Sequence, residues 1–282
     1  MITTLDWGVV DRAIDAAIDE DVGRGDLTSQ ALIPAAARFK GVMRAREEIV
    51  VAGLPVAERV FTKIEPKADF RAAAADGEKA AKGSVLAHVV GPACGLLTAE
   101  RTALNFLQHL SGIATLTRRY VEAIEGTGAV LLDTRKTIPG LRVLNKYATR
   151  MGGAANHRMR LDDAVLIKDN HIAVSGSVAE AVKRARAAGH ERIEVECDSL
   201  SQVAEALGAG ADTIMFDNMD VSTLKQAVAL VQGKAGTEAS GGVTLETIRA
   251  IAETGVDTIS VGRITQSAPA VDIGFDWETD GD

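Results

Sequence analysis

Cysteine is almost missing from this sequence: only Cys94 and Cys197 occur, far apart and without a CxxC partner. That argues against a disulfide framework or a structural zinc site and fits a reducing compartment. Aromatics make up 4% of the chain, too few for the stacking platforms of single-strand nucleic-acid binders. No apolar run approaches the ~20 residues that span a bilayer. The N-terminal stretch MITTLDWGVVDRAIDAAIDED is acidic and amphipathic, unlike a cleaved signal, so a cytoplasmic protein is expected. The last absence is local. Residues 134–160, TRKTIPGLRVLNKYATRMGGAANHRMR, hold seven Lys or Arg and a histidine but no Asp or Glu, in a chain of net charge -8. At the overall acid frequency about four carboxylates would be expected there. An acidic protein with a cationic island suits a small polyanion held in a pocket. A solvated basic helix face is the plainer alternative.

What is present falls into two textures. Residues 1–95 mix an amphipathic helix with short β-like stretches such as FKGVMRA, IVVAG and SVLAHVV, and a further helix at LPVAERVFTKIE. A long helical pattern follows from Thr98 to about Ile124, expected to bend or break near Ser111-Gly112. After Gly128, short apolar runs alternate with amphipathic helices: AVLLDTRK, DAVLIKDN, RIEVECD, DTIMFDN, TEASGG and DTISVG are the strands. Repeated β-then-α units imply a parallel sheet. Nearly every strand ends in residues capable of chemistry. An open doubly wound sheet would gather them at one switch point, whereas a β/α barrel points every strand end into one mouth. The fold class is therefore α/β: an N-terminal α+β sandwich-like domain over 1–112, then a barrel over 113–267. With six strands rather than eight, the barrel is expected to be open or incomplete.

The strand ends supply candidates. Arg135, Lys136, His157, Arg158 and Lys168 lie at strand ends or in the excursion between two of them, and such cations suit planar carboxylates and phosphates. Arg142, Lys146 and Arg150 recur every four residues on one helix and read as a solvated or interface face. Glu196 and Asp217 end neighbouring strands and each needs a cation, either a lysine or a Mg²⁺ shared with phosphate oxygens. A structural salt bridge is the alternative for them. Asp133 and Asp169 could orient a neighbouring Lys or Arg. Ser240-Gly241-Gly242 and Gly262 follow late strands, where backbone N–H groups can bind phosphate.

Eight motifs, in order along the whole chain, resemble those of the quinolinate phosphoribosyltransferase family. They are EDVGRGDLTS (20–29), AERTALNFLQHLSGIAT (99–115), LLDTRKTIPGLR (131–142), NHRMRLDDAVLIKDNHI (156–172), EVEC (194–197), DTIMFDNM (212–219), EASGG (238–242) and ISVGRITQSAPAVDIG (259–274). The resemblance implies reaction of quinolinate with phosphoribosyl pyrophosphate to give nicotinate mononucleotide, carbon dioxide and pyrophosphate in de novo NAD synthesis. It implies a catalytic set of Glu196, Asp217 and Lys136. Thr134, Arg135, Lys136, His157, Arg158 and Lys168 would bind substrate, with Arg101 reaching the partner subunit's site in a homodimer or larger oligomer. Ser240, Gly241, Gly242, Gly262 and Arg263 would bind phosphate, and Glu196 and Asp217 would hold Mg²⁺ directly or through water. The C-terminal segment, 268–282, would return to the first domain.

The sequence departs from the commonest family pattern at Ala154, Arg160, Arg263 and Gln266. Weighed against this reading are a related pyrophosphorylase-like protein using another planar acid, and a non-catalytic anion-binding barrel. The second has no use for Glu196 and Asp217. Neither nucleic acid nor membrane is expected as a partner.

Overall fold

The computed structural model describes residues 5–278; residues 279–282, the end of the acidic tail and of the segment expected to return to the first domain, lie outside the described residues. No helix among the described residues is long and apolar enough to cross a membrane.

The chain forms two compact units. The first begins with helices α1 (Trp7–Val22) and α2 (Leu27–Leu32). Asp6 and Asp26 cap them by accepting N–H bonds from their first turns. Strands β1 (Arg38–Ala45) and β2 (Ile49–Val50), helix α3 (Leu54–Ile64), and strands β3 (Asp69–Ala72), β4 (Lys79–Ala80) and β5 (Val85–Pro92) follow, leading into helix α4 (Ala93–Ala123). The stretches FKGVMRA and SVLAHVV are thus the central strands β1 and β5, paired antiparallel. They carry the buried side chains Met43, Leu86 and Val89, which pack with Phe61 of α3 and Leu96 and Leu107 of α4.

Helix α4 runs unbroken through Ser111-Gly112, so the break allowed for there does not occur. The two residues serve close approach instead. Ser111 Oγ accepts from Ala52 N–H at 3.0 Å, and a Cβ on Gly112 would lie 2.1 Å from the Pro269 carbonyl oxygen. Glycine is there because another backbone passes over the helix, a need that outweighs its poor helix propensity.

The second unit holds residues 119–136 and 154–263. Its strands are β6 (Val130–Leu132), β7 (Val165–Ile167), β8 (Ile193–Cys197), β9 (Thr213–Asp217), β10 (Gly236–Ser240) and β11 (Thr258–Ser260). They form one parallel sheet in the order β6-β11-β10-β9-β8-β7. These are the six strands read from the sequence, and the sheet is an open α/β barrel. Helix α5 (Arg142–Gly152) lies between β6 and β7 in sequence but packs with the first unit, as do residues 264–278. Helices α6 (Asp169–Ser175), α7 (Val178–Ala187), α8 (Leu200–Gly208), α9 (Val221–Val231), α10 (Ile248–Ala252) and α11 (Arg263–Gln266) complete the set before strand β12 (Ile273–Trp277). β12 pairs antiparallel with β1, so the described part of the C-terminal segment does join the first unit's sheet.

Helix α5 corrects one expectation. Lys146 has no solvent-accessible surface, and Leu144 through Thr149 are all buried. A four-residue spacing of cations marks a solvated face only when the helix has one. This helix is enclosed over most of its circumference.

Candidate active site

Strand periodicity builds the site. Side chains two apart on a strand share a face, so Glu194 and Glu196 of β8 point together into the barrel while Ile193, Val195 and Cys197 pack outward and are buried. On β9, Met215 and Asp217 share the inward face; on β10, Glu238 and Ser240 do. Cys197 is a core side chain, its thiol pushed up to about 12, chiefly by burial, and such a thiol is inert.

At the carboxyl ends of these strands lies a cavity of about 410 Å³. Lining it are Thr134, Arg135 and Lys136 after β6, His157 and Arg158 from the excursion, and Lys168 after β7. Glu196, Asp217, Ser240, Gly241 and Gly242 complete the residues read from the sequence that line it. Gly262 and Arg263 are outside that lining, and Arg101 is an exposed residue of α4 in the first unit. Arg263 lies instead within electrostatic reach of Glu246, whose carboxyl sits below its ordinary value mainly through the Thr244 hydroxyl.

Each wall has a local cause. Asp133 is fully buried and organises the NHR loop: its Oδ1 accepts from the His157 N–H at 2.9 Å and its Oδ2 from Asn156 Nδ2 at 2.6 Å. Thr134 Oγ accepts from the Lys136 N–H at 3.0 Å, tightening the TRK turn. Lys168 pairs with Glu196 across β7 and β8. The Arg158 guanidinium is pushed below its ordinary value, first by burial and then by the like charge of Arg135. Two guanidiniums disfavouring each other beside a cavity are arranged for an anion.

The glycines act through the backbone. Gly241 and Gly242 have φ of 90° and 61°, and a Cβ on Gly241 would lie 2.3 Å from Asn218 Oδ1. Helix α10 begins only at Ile248, so Ser240-Gly241-Gly242 form a strand-end turn, set apart from the helix that follows.

Sequence reading missed three lining residues, Leu166, Met215 and Ser260; Asn218, beside Asp217 at its strand end, lines the cavity too. The reading also passed over a deeper pair, Glu194 and Glu238. The signal was legible: E-x-E in IEVEC and E-x-S in TEAS set these carboxylates on the same faces as Glu196 and Ser240. They meet the His157 ring, whose Nε2 is 3.2 Å from Glu194 Oε2 and 3.6 Å from Glu238 Oε2. Among the described residues this trio is the one group of three or more His, Cys, Asp or Glu side chains close enough to share a metal ion. Burial, then the charge of Glu194, raises the Glu238 carboxyl to about 7.

Family models for the N-terminal and C-terminal domains of quinolinate phosphoribosyl transferase match residues 26–111 and 113–276. This chain belongs to the quinolinate phosphoribosyltransferase family. Its relatives within that family include a probable nicotinate-nucleotide pyrophosphorylase [carboxylating] of Bacillus subtilis, 45% identical over 91% of this chain and 89% of that one. The nicotinate-nucleotide pyrophosphorylase [carboxylating] of Mycobacterium leprae is 43% identical over 98% of this chain and 100% of that one. Among solved structures, the nicotinate-nucleotide pyrophosphorylase of Francisella tularensis superposes with a TM-score of 0.94 at 37% identity, covering 99% of each chain. The family likeness therefore takes in residues of both units.

Proposed function

We propose that this protein transfers the phosphoribosyl group of phosphoribosyl pyrophosphate to the ring nitrogen of quinolinate. The products are nicotinate mononucleotide, carbon dioxide and pyrophosphate, a step of NAD biosynthesis. The observation that carries the reading is one cavity walled by Arg135, Lys136, Arg158 and Lys168 and edged by Glu196, Asp217 and the Ser240–Gly242 turn. Family membership and relatives named for this activity support it, and they do not favour another planar acid as acceptor.

The cations grip the two ring carboxylates, with charge-assisted hydrogen bonds of roughly 1.5–3 kcal/mol each, and hold the ring nitrogen toward the ribose. As pyrophosphate departs, the ribose carbon gains positive character that Glu196 and Asp217 stabilise. The nitrogen's lone pair forms the new bond as the bond to pyrophosphate breaks. The ring nitrogen is then positive, so the adjacent carboxylate leaves as carbon dioxide, and the ring carbon left with the electron pair takes up a proton. Lys136 and Lys168 balance charge at the carboxylate side. The turn at 240–242, with Gly262 and Arg263 beyond it, receives the ribose phosphate. The two hard carboxylates Glu196 and Asp217 suit Mg²⁺, which uses one or two protein carboxylates and completes its shell with phosphate oxygens and water. Bound there, it would neutralise charge on departing pyrophosphate. The functional unit is a homodimer in which Arg101, exposed on α4, enters the partner's site.

The test is product formation by purified protein with quinolinate, phosphoribosyl pyrophosphate and Mg²⁺, and with nicotinate as the competing acceptor. Nicotinate mononucleotide formed from quinolinate and not from nicotinate is expected. Turnover of nicotinate with quinolinate inert would sink the reading.

A further inference from the structure

The His157 ring joins the cavity wall to the carboxylates beneath it. Its Nδ1 accepts the Arg158 backbone N–H at 2.8 Å, which leaves the ring proton on Nε2, facing Glu194. The backbone N–H of His157 is held by Asp133. Arg158, next in the chain, is thus suspended from the ring on one side, while its guanidinium donates to the Ala164 carbonyl at 3.1 Å on the other. Glu238 is 2% exposed, the Glu194 side chain 14%, and each has a buried Oε1 with no hydrogen-bond partner among the described residues. Burying two carboxylates in this way is costly. Plain packing would be met by apolar side chains.

We propose that Glu194 and Glu238 are positioning residues for the acceptor: they hold the His157 ring, and through it Arg158, at the angle that grips the pyridine dicarboxylate. This rests on the proposed function.

Steady-state kinetics of the full chain, with each substrate varied in turn, test it. Glu194→Leu is expected to raise KM for quinolinate about tenfold, with kcat and the KM for phosphoribosyl pyrophosphate within about twofold. Glu194→Gln keeps an oxygen that accepts from Nε2 and should recover most of that loss; Glu238→Gln should show a smaller rise, about threefold. A fall in thermal stability with both KM values unmoved would overturn the proposal, as would an equal rise for both substrates. A divalent ion that copurifies with the protein and is lost in Glu194→Gln would also overturn it, making the trio a metal centre. Side-chain ¹⁵N NMR needs no substrate. With five histidines, the His157 signal is assigned by its loss in His157→Gln, and it should show the Nε2–H tautomer in wild type but not in Glu194→Leu. A wild type inert toward quinolinate would sink the functional reading alone, and the tautomer would then decide the anchoring.

Discussion

Glu194 and Glu196 sit two residues apart on one strand and face the same interior, yet they live in opposite surroundings. Glu196 is at the mouth, where Lys168 pairs with it and Arg135, Lys136 and Arg158 line the same cavity. Glu194 is one layer deeper, against Glu238 and a single histidine, beside a cavity of about 270 Å³ that Asp257 also lines. The mouth has an excess of positive charge and the layer beneath it an excess of negative charge. In the mouth, the proposed reading has the imbalance resolved by a ligand from outside. In the depth it must be resolved by the protein, through the His157 ring and a proton held on Glu238. On the proposed reading, charge that recruits a substrate and charge that orients the recruiting groups occupy successive layers of the same strands.

The sharpest way to break this contrast is at the mouth. Arg135→Ala should lower kcat/KM by roughly 10²–10³-fold, since on the proposed reading it removes a fork of charge-assisted bonds to the acceptor. Arg101→Ala should be comparably damaging. Mixing the two inactive variants should restore about a quarter of wild-type activity, because half of the dimers then hold one intact shared site. No recovery on mixing, with subunit exchange verified by mass spectrometry, would rule out sharing.

The deep layer should answer to pH as well as to the acceptor. The Glu238 carboxyl is raised from 4.5 to about 7, so between those values the folded protein keeps a proton that the unfolded chain has released. The sign follows: this group's contribution to stability falls as pH rises through that window. Glu238→Gln removes the titration. Relative to wild type, the variant should gain stability between pH 5 and 8, by up to on the order of 3 kcal/mol, read from denaturant midpoints at each pH. A constant offset would contradict it. The smallest effect is expected at Arg160, in the same cationic stretch but paired with Asp162 at 3.0 Å with both side chains about 70% exposed. Arg160→Ala should change stability by less than ~0.5 kcal/mol and leave kcat/KM unaltered within error, separating the working cations of the island from its solvated one.

Much of this was legible in the sequence. The six strands of the second unit follow from short apolar runs bounded by turn residues, and their polar ends follow from position alone. Most of the residues read from those ends, with His157 and Arg158 from the excursion between two of them, line one cavity. Illegible were features that depend on what lies opposite. Gly112 reads as a helix breaker until the Pro269 carbonyl is seen against it. Lys146 reads as a surface cation until α5 is found enclosed. Glu194 and Glu238 read as ordinary strand residues until β8 and β10 flank β9 and bring both to one histidine.

By itself the sequence determined which segments become strands, which face of each strand is polar, and that a cationic stretch lacks its own counter-charges. Those are properties of neighbours along a chain, set by backbone periodicity and local composition. Only the tertiary structure decided which charges meet. Pairing energy and burial depend on distances between residues far apart in sequence, and the same glutamate is a mouth residue or a buried strut according to which layer of the barrel its strand register assigns it.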